Sequence, residues 1–265
     1  MHSDETLDQL ATEMLGLWND HEPISTDACS VDVTTLTLDE AYQAQDHLIE
    51  KRVGQGERIV GYKIGCTSKS TRSGLGATTS VNGRLLAPGI HDDGAEFDHA
   101  SMLAPAVEAE MVIHLRTGLA GPDLDDDTIR QAIDWVAPGV EIHAASFPAG
   151  KPSLQGLIAT NCVHHSMVIG RPVPFPDGLD IDLDMEGIAL VMNGELIESG
   201  VGLEIEGGPL YSLRWLAGEL HRRSHHIEAG QYIIPGSTAG LYPVEPDTTV
   251  EARFTRLGTA HATFR

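Results

Sequence analysis

The sequence predicts an α+β fold, with a mixed, mostly antiparallel β core behind a helical N-terminal lobe. Three observations carry that expectation. Two amphipathic helical patterns fill the first 57 residues, and from Ile59 onward short apolar runs are separated by Gly- and Pro-rich loops. Those runs do not alternate regularly with helices, as the strands of a doubly wound sheet would. The expected division is a helical lobe over residues 1–57 and a core over residues 58–265.

The first helix is expected over residues 3–18, with Ser3 as its cap and Asp4 and Glu5 in its first turn. Leu7, Leu10, Ala11, Met14 and Trp18 recur at helical spacing. After a polar stretch containing Pro23, Thr37 and Glu40 form a capping-box pattern at the head of a second helix, through about Val53. Leu38, Ala41, Tyr42, Gln45, Leu48 and Ile49 give its expected buried stripe, and Gly54 and Gly56 end it. Strands are expected at 59–65, 107–115, 139–143, 162–169 and 188–192, and Asn193-Gly194 marks a hairpin into 195–198. Helices are expected at 126–136 and 209–222, where Leu210, Leu213, Leu216 and Leu220 repeat. The end is strand-rich, at 231–237, 249–254 and 259–264, with turns at Pro246-Asp247 and Leu257-Gly258. No fixed-period repeat interrupts this order.

At 265 residues, 41% hydrophobic and 21% charged, the chain has the composition of an ordinary globular protein with a full core. Its net charge of −22, from 39 acidic and 17 basic residues, argues against nucleic-acid and anionic-membrane partners, which need a basic footprint. A few placed cations can still bind an anionic substrate within a cleft. The N-terminus lacks the pattern of a signal peptide, and no apolar run reaches a membrane-spanning length. Cys29, Cys66 and Cys162 are scattered and odd in number, so they suggest neither a disulfide framework nor a zinc pattern. A cytoplasmic location is the expectation.

The most informative residues are Glu108 and Glu110 in the run 105–115, with Glu141 in the segment 138–147. In a strand Glu108 and Glu110 point one way while Val107, Ala109, Met111 and Ile113 line the other face. Three convergent carboxylates repel one another, and a hard divalent cation such as Mg2+ or Mn2+ resolves the repulsion. Such a pair also reads as the solvated face of an edge strand. Lys63, flanked by Ile59, Val60 and Ile64, reads either as a lysine snorkelling from a sheet edge or as a buried cation. In the second case it binds a carboxylate or, with its pKa depressed by burial, moves protons. The polar run Thr67-Ser68-Lys69-Ser70 reads as a loop without the glycine spacing of a phosphate cradle.

Five motifs occur in one order: GYKIG-x-TSK, the PxVEAE strand, PGVEI, GGPL-x-x-x-x-WLA and AGQYIIPGS. Over roughly residues 35–265 they resemble the fumarylacetoacetate hydrolase superfamily, in the branch of 2-oxopent-4-enoate (2-hydroxypentadienoate) hydratases and 4-oxalocrotonate decarboxylases. The resemblance implies an α+β fold built on a mixed, mostly antiparallel β-roll. It also implies one Mg2+ or Mn2+ held by Glu108, Glu110 and Glu141, with Lys63 as the family's strand lysine. The implied chemistry is chelation of a small anionic 2-oxo acid and stabilisation of its enolate, followed by hydration or loss of CO2.

Departures from the family pattern are as specific as the matches. Val81-Asn82-Gly83 replaces a common aspartate ahead of a Gly-x-Leu turn, and Glu141-Ile142-His143-Ala144 replaces Glu-Ile-Val-Asp. Thr160-Asn161-Cys162-Val163-His164-His165-Ser166 replaces an Asp-Asn-x-Ser-Ser-Gly-Gly run. Three acids are missing while the implied metal set remains. His143, two residues past Glu141, is a candidate acid/base group, and also reads as a structural histidine. Of His164 and His165 at most one can face inward, and His225-His226 complement a helix C-terminus. Ser68, Asn161, Ser237 and Thr238 are candidate substrate-binding residues, and turn chemistry alone also accounts for such residues.

The function expected is a metal-dependent hydratase of a small unsaturated 2-oxo/2-hydroxy acid. The alternatives are a decarboxylase of a 2-oxo dioic acid on the same site, and an inactive scaffold subunit beside an active paralogue. A homo-oligomer, with a paralogous decarboxylase or hydratase as a further partner, follows by resemblance.

Overall fold

Ser3 and Thr37 start the two N-terminal helices in the computed structural model, which describes residues 1–23, 28–144, 153–175, 181–238 and 240–265. The Ser3 hydroxyl accepts the Thr6 amide at the head of α1 (Asp4–Asn19). Thr37 and Glu40 close a capping box at the head of α2 (Leu38–Gly54). The buried stripe of α2 is as expected except for Leu38, which is exposed at the first position of the helix. The remaining helices are α3 (Lys69–Leu75), α4 (Asp126–Ala132), α5 (Leu154–Ala159) and α6 (Pro209–Arg222).

The strands are β1 (Ile59–Gly65), β2 (Val81–Leu86), β3 (Ile90–Asp92), β4 (Ala95–Phe97), β5 (Pro105–Leu115), β6 (Ile133–Ala144) and β7 (His164–Ile169). They continue as β8 (Val173–Pro174), β9 (Gly187–Met192), β10 (Glu195–Val201), β11 (Tyr232–Ile234), β12 (Tyr242–Pro243), β13 (Thr248–Phe254) and β14 (Gly258–Phe264). Among the described residues one sheet runs β2-β1-β11-β5-β6-β7-β3, with β12 on β5 and β8 on β6. A second runs β10-β9-β13-β14-β4. Only the β1–β11, β3–β7 and β4–β14 pairs are parallel, so the core is mixed and mostly antiparallel.

Two expectations need correction. The helix expected over 126–136 ends at Ala132, and residues 133–136 open the long strand β6. Ile129, Ala132, Ile133 and Val136 fit helical spacing, but pairing with β5 from Leu115↔Ile133 onward overrides that pattern. The run taken as a loop at 67–70 contains the start of α3, capped by Ser68, whose hydroxyl accepts the Thr71 amide. Strand β2 and helix α5 were not anticipated at all.

Alternation along β5 decides where the site lies. Val107, Ala109, Met111 and Ile113 face a core shared with the second sheet (Leu190, Val250, Ala252, Phe264) and with Leu213, Leu216 and Leu220 of α6. Glu108 and Glu110 therefore fall on the opposite face. Further along that face Val112 packs with Leu85, Ala137, Met167 and Ile234. No helix among the described residues is long and apolar enough to cross a membrane.

Candidate active site

Sheet register brings the acidic residues together. Glu108 lies opposite Glu141 in the β5–β6 ladder, and Glu110 lies opposite Gly139. Residues two apart in a strand share a face, so His143 stands beside Glu141. Lys63 reaches the group from β1, two strands away from β5 across β11. Gly139 leaves the space the cluster's neighbours fill: a Cβ there would meet Met167 Cε at 2.1 Å and Val112 Cγ2 at 2.7 Å.

His143 Nε2 is 3.0 Å from Glu108 Oε2 and 3.4 Å from Glu141 Oε2. Lys63 Nζ is also 3.4 Å from Glu141 Oε2. His164 Nδ1 lies 2.7 Å from the other carboxylate oxygen, Glu141 Oε1. His164 arrives there through a β-bulge: Ile142 pairs with Ser166 and His143 with His164, leaving His165 turned out of the ladder. Before the bulge, Asn161, Cys162 and Val163 hold successive positive φ values of 56°, 55° and 50°. A β-branched residue in that region is strained, and such strain persists only where surrounding structure imposes it.

Glu141 is fully buried, Glu110 nearly so, and Glu108 keeps 16% exposure of its side chain, which makes Glu108 the solvent-facing edge of the cluster. Glu110 stands outside the tight group, with the Gly236 amide near its carboxylate. The ligand atoms of Glu108, Glu141 and His143 all lie within 4.8 Å of one another. Glu110 Oε2, Glu141 Oε2, His143 Nδ1 and His164 Nε2 are buried without a hydrogen-bond partner among the described residues. Orphaned polar atoms at this density are uncommon in native interiors and are donors and acceptors available to a bound ion.

Charge coupling separates the groups. Burial resists ionisation of Glu141, but the Lys63 and His143 charges outweigh it and hold this carboxyl well below the usual range. Burial, reinforced by the charges of Glu141 and Glu108, pushes Glu110 well above it. Burial would depress Lys63, as the sequence suggested, yet Glu141 and Glu108 overcome that effect and raise it above its ordinary value. His143 is raised to about 9, because the Glu141 charge and the contacts with Glu108 and Glu141 exceed desolvation and the opposing Lys63 charge. For His164 desolvation wins and the pKa falls. Two carboxylates in one pocket pushed in opposite directions is the behaviour of strongly interacting acids.

The remaining candidates separate into two groups. Ser68 and Ser237, with Thr67, Thr71, Glu108 and Glu110, line a cavity of about 30 Å³, room for an ion or one to two waters. Asn161 is committed elsewhere: its Oδ1 accepts the Arg84 amide at 2.6 Å and its Nδ2 donates to the Arg84 carbonyl at 2.9 Å. Thr238 is outside the cavity lining and lies against Gly200, where a Cβ would meet Thr238 Cβ at 3.0 Å. The sequence left open which of His164 and His165 faces inward, because adjacent histidines give no hint of the bulge that turns His164 to Glu141. The signal available was its place in a run where the family carries small residues.

No protein-family model matches the chain. It is 30% identical over 233 residues to 4-oxalocrotonate decarboxylase of Pseudomonas putida, covering 88% of each chain. It is 29% identical to 2-hydroxyhexa-2,4-dienoate hydratase of Comamonas testosteroni, over 86% of this chain and 87% of the relative. The structure of 4-oxalocrotonate decarboxylase from Pseudomonas putida G7 complexed with magnesium and adipate superposes with a TM-score of 0.93 at 28% identity, over 100% of this chain and 99% of that one. Fumarylpyruvate hydrolase from Pseudomonas aeruginosa, in complex with Mn2+ and pyruvate, shares the fold at 12% identity, with a TM-score of 0.59 over 77% of this chain and 88% of that one. The chain thus belongs to the hydratase and decarboxylase branch of the fumarylacetoacetate hydrolase superfamily, a family of lyases.

Proposed function

We propose that this protein is a divalent-metal-dependent hydratase of a small unsaturated 2-oxo/2-hydroxy acid, with Glu108, Glu110 and Glu141 disposed around the cation. The observation that carries the reading is the convergence of three buried or half-buried carboxylates on one sheet face, against one lysine and one imidazole. That donor set fits Mg2+ or Mn2+, since carboxylate oxygens are hard ligands and Glu110 Oε2 is buried without a hydrogen-bond partner among the described residues. A divalent cation held there supplies electrophilic stabilisation of the negative charge that develops on a 2-oxo acid. The protein's own groups do the rest. The Lys63 ammonium, kept protonated by Glu141, holds a substrate carboxylate or donates a proton to the carbon chain. Ser68 and Ser237 at the cavity wall bind and orient the substrate, while Asn161, paired with the Arg84 backbone, and Thr238, outside the lining, take no direct part in this reading. In the free protein His143 supplies positive charge to Glu108 and Glu141.

The decarboxylase reading is supported by one specific observation, the superposition on 4-oxalocrotonate decarboxylase along the full chain. Both reactions share the enolate and differ in the bond that follows. Self-association, with a paralogous decarboxylase or hydratase as a further partner, belongs to the same proposal; exposed Leu196 and Ile197 on the sheet-edge strand β10 suit it.

Ultraviolet decay of freshly generated 2-hydroxypenta-2,4-dienoate, followed with Mg2+ or Mn2+ and then EDTA, tests the reading. Metal-dependent loss without CO2 release is the expected result. CO2 release from a 2-oxo dioic acid would move the protein to the second reaction. Glu110→Ala and Glu141→Ala are expected to lower metal affinity and turnover by about 10–100-fold or more, the range seen for groups that support a metal. Unchanged metal binding in both variants would sink the metal assignment.

A further inference from the structure

We infer that His143 is itself a metal ligand through Nε2, so that the centre takes a divalent transition ion of the Mn2+ class in preference to Mg2+. The inference rests on the metal-dependent reading above and sharpens it. Three oxygen donors were expected from the sequence, but the tight group is two carboxylates and an imidazole, Glu108, Glu141 and His143. Glu110 stands outside that group.

The spacing suits a shared ion. Adjacent ligands of an octahedral ion at 2.0–2.1 Å are about 3.0 Å apart. His143 Nε2 stands 3.0 Å from Glu108 Oε2 and 3.4 Å from Glu141 Oε2. Glu141 is oriented for the purpose: His164 Nδ1 occupies Oε1 at 2.7 Å, which leaves Oε2 facing His143 and Lys63. An imidazole hydrogen-bonded to a ligating carboxylate is the usual outer-shell device for fixing a ligand. His143 is only 3% exposed and held on the central strand β6, so its ring has little freedom to leave the group.

Donor chemistry then sets the preference. Mg2+ is a hard ion that favours oxygen and keeps its waters, whereas affinity for nitrogen rises from Mn2+ along the first transition row. Replacing one oxygen by an imidazole nitrogen therefore penalises Mg2+ relative to Mn2+. In this role His143 is a ligand and not the acid/base group its position in sequence suggested, which leaves proton transfer to Lys63.

The test uses the full-length protein loaded with Mn2+ and electron spin-echo envelope modulation, which detects nitrogen bonded directly to the ion. Wild-type protein is expected to show nitrogen coupling that changes character when its histidines are labelled with 15N. His143→Leu is expected to lose that coupling. The Mg2+ excess needed to displace half the Mn2+ should fall in that variant by about tenfold or more, as a ligand counts for at least as much as an outer-shell partner. Bound Mn2+ without nitrogen coupling in the wild-type protein overturns the inference while leaving the metal-dependent reading standing. Coupling that survives in His143→Leu also overturns it, since another imidazole would then be the ligand. Failure of the wild-type protein to bind Mn2+ or Mg2+ at all removes the metal-dependent reading and this inference with it. If His143→Leu does not fold, His164→Leu decides the matter: nitrogen coupling kept in that variant leaves His143 as the ligand, and coupling lost there overturns the inference.

Discussion

Gly236 joins the two halves of the site at the scale of one residue. Its amide lies near the Glu110 carboxylate, and its φ of +124° is one that side-chain-bearing residues rarely adopt. A Cβ there would meet Thr67 Oγ1 at 2.3 Å and Thr67 Cγ2 at 2.5 Å, in the wall of the cavity. Gly236→Ala therefore combines backbone strain with a collision at the site. The expected cost is about 1–3 kcal/mol of stability for the strained backbone, measured by denaturant unfolding. Turnover should fall further than stability alone explains, because the strained backbone and the clash with Thr67 displace the cavity wall beside Glu110. Full activity in a destabilised Gly236→Ala protein would mean that the cavity wall beside Glu110 is not displaced.

At the scale of elements, the head of α2 is the clearest case of local sequence fixing local structure. Thr37 donates its amide to Glu40 Oε2 at 2.8 Å and accepts the Glu40 amide at 3.2 Å, while the His2 amide reaches Glu40 Oε1 at 2.5 Å. Thr37→Ala is expected to cost about 1 kcal/mol in thermal or denaturant unfolding. Hydrogen bonds from the Thr37 and His2 amides hold the Glu40 carboxyl at about 2, down from 4.5. A depressed carboxylate contributes stability that is present above its unfolded pKa and lost as pH falls through its folded one. Unfolding midpoints should accordingly drop between pH 4.5 and about 2, and the drop should be shallower in Glu40→Gln. The box was legible because all its determinants lie within four residues, and the Leu repeat of α6 was legible for the same reason. Glu108, Glu110, Glu141 and Lys63 were legible through strand alternation and the register of motifs. Residues 133–136 were misread because helical spacing and strand pairing both accommodate Ile133 and Val136, and only the long-range partner β5 decides. The inward turn of His164 depends on a bulge set by the neighbouring strand, which no local pattern encodes.

At the scale of the whole molecule, the boundary near residue 57 marks a change of secondary structure more than a division of the core. Leu7, Leu10, Met14, Ala41 and Leu48 of the first two helices pack in one cluster with Cys66, Val81, Ile158, Ala159 and Cys162 from beyond the boundary. Polar groups cross as well. The buried Arg84 guanidinium of β2 donates to Gln45 and Asp46 of α2. Gln45 Nε2 donates to the Asn82 and Ile158 carbonyls at 3.0 and 2.7 Å, and the Tyr42 hydroxyl accepts the Asn82 amide at 3.2 Å. We propose that the lobe of residues 1–57 and the core of residues 58–265 are structural divisions that unfold together. Removing the lobe would leave the Arg84 cation buried without these partners and strip cover from Ile158 and Ala159, which are fully buried. Breaking a buried charged pair by deleting one partner costs about 3–5 kcal/mol, comparable to the stability of many whole domains. The full chain should therefore melt in a single transition by circular dichroism. A 58–265 fragment should lack a cooperative transition. Because the lobe's cluster includes Cys162, in the left-handed turn that delivers His164 to Glu141, the fragment should also bind Mn2+ weakly or not at all. A fragment that melts sharply and binds Mn2+ like the full chain would make the lobe a true appendage, with the site self-sufficient behind it.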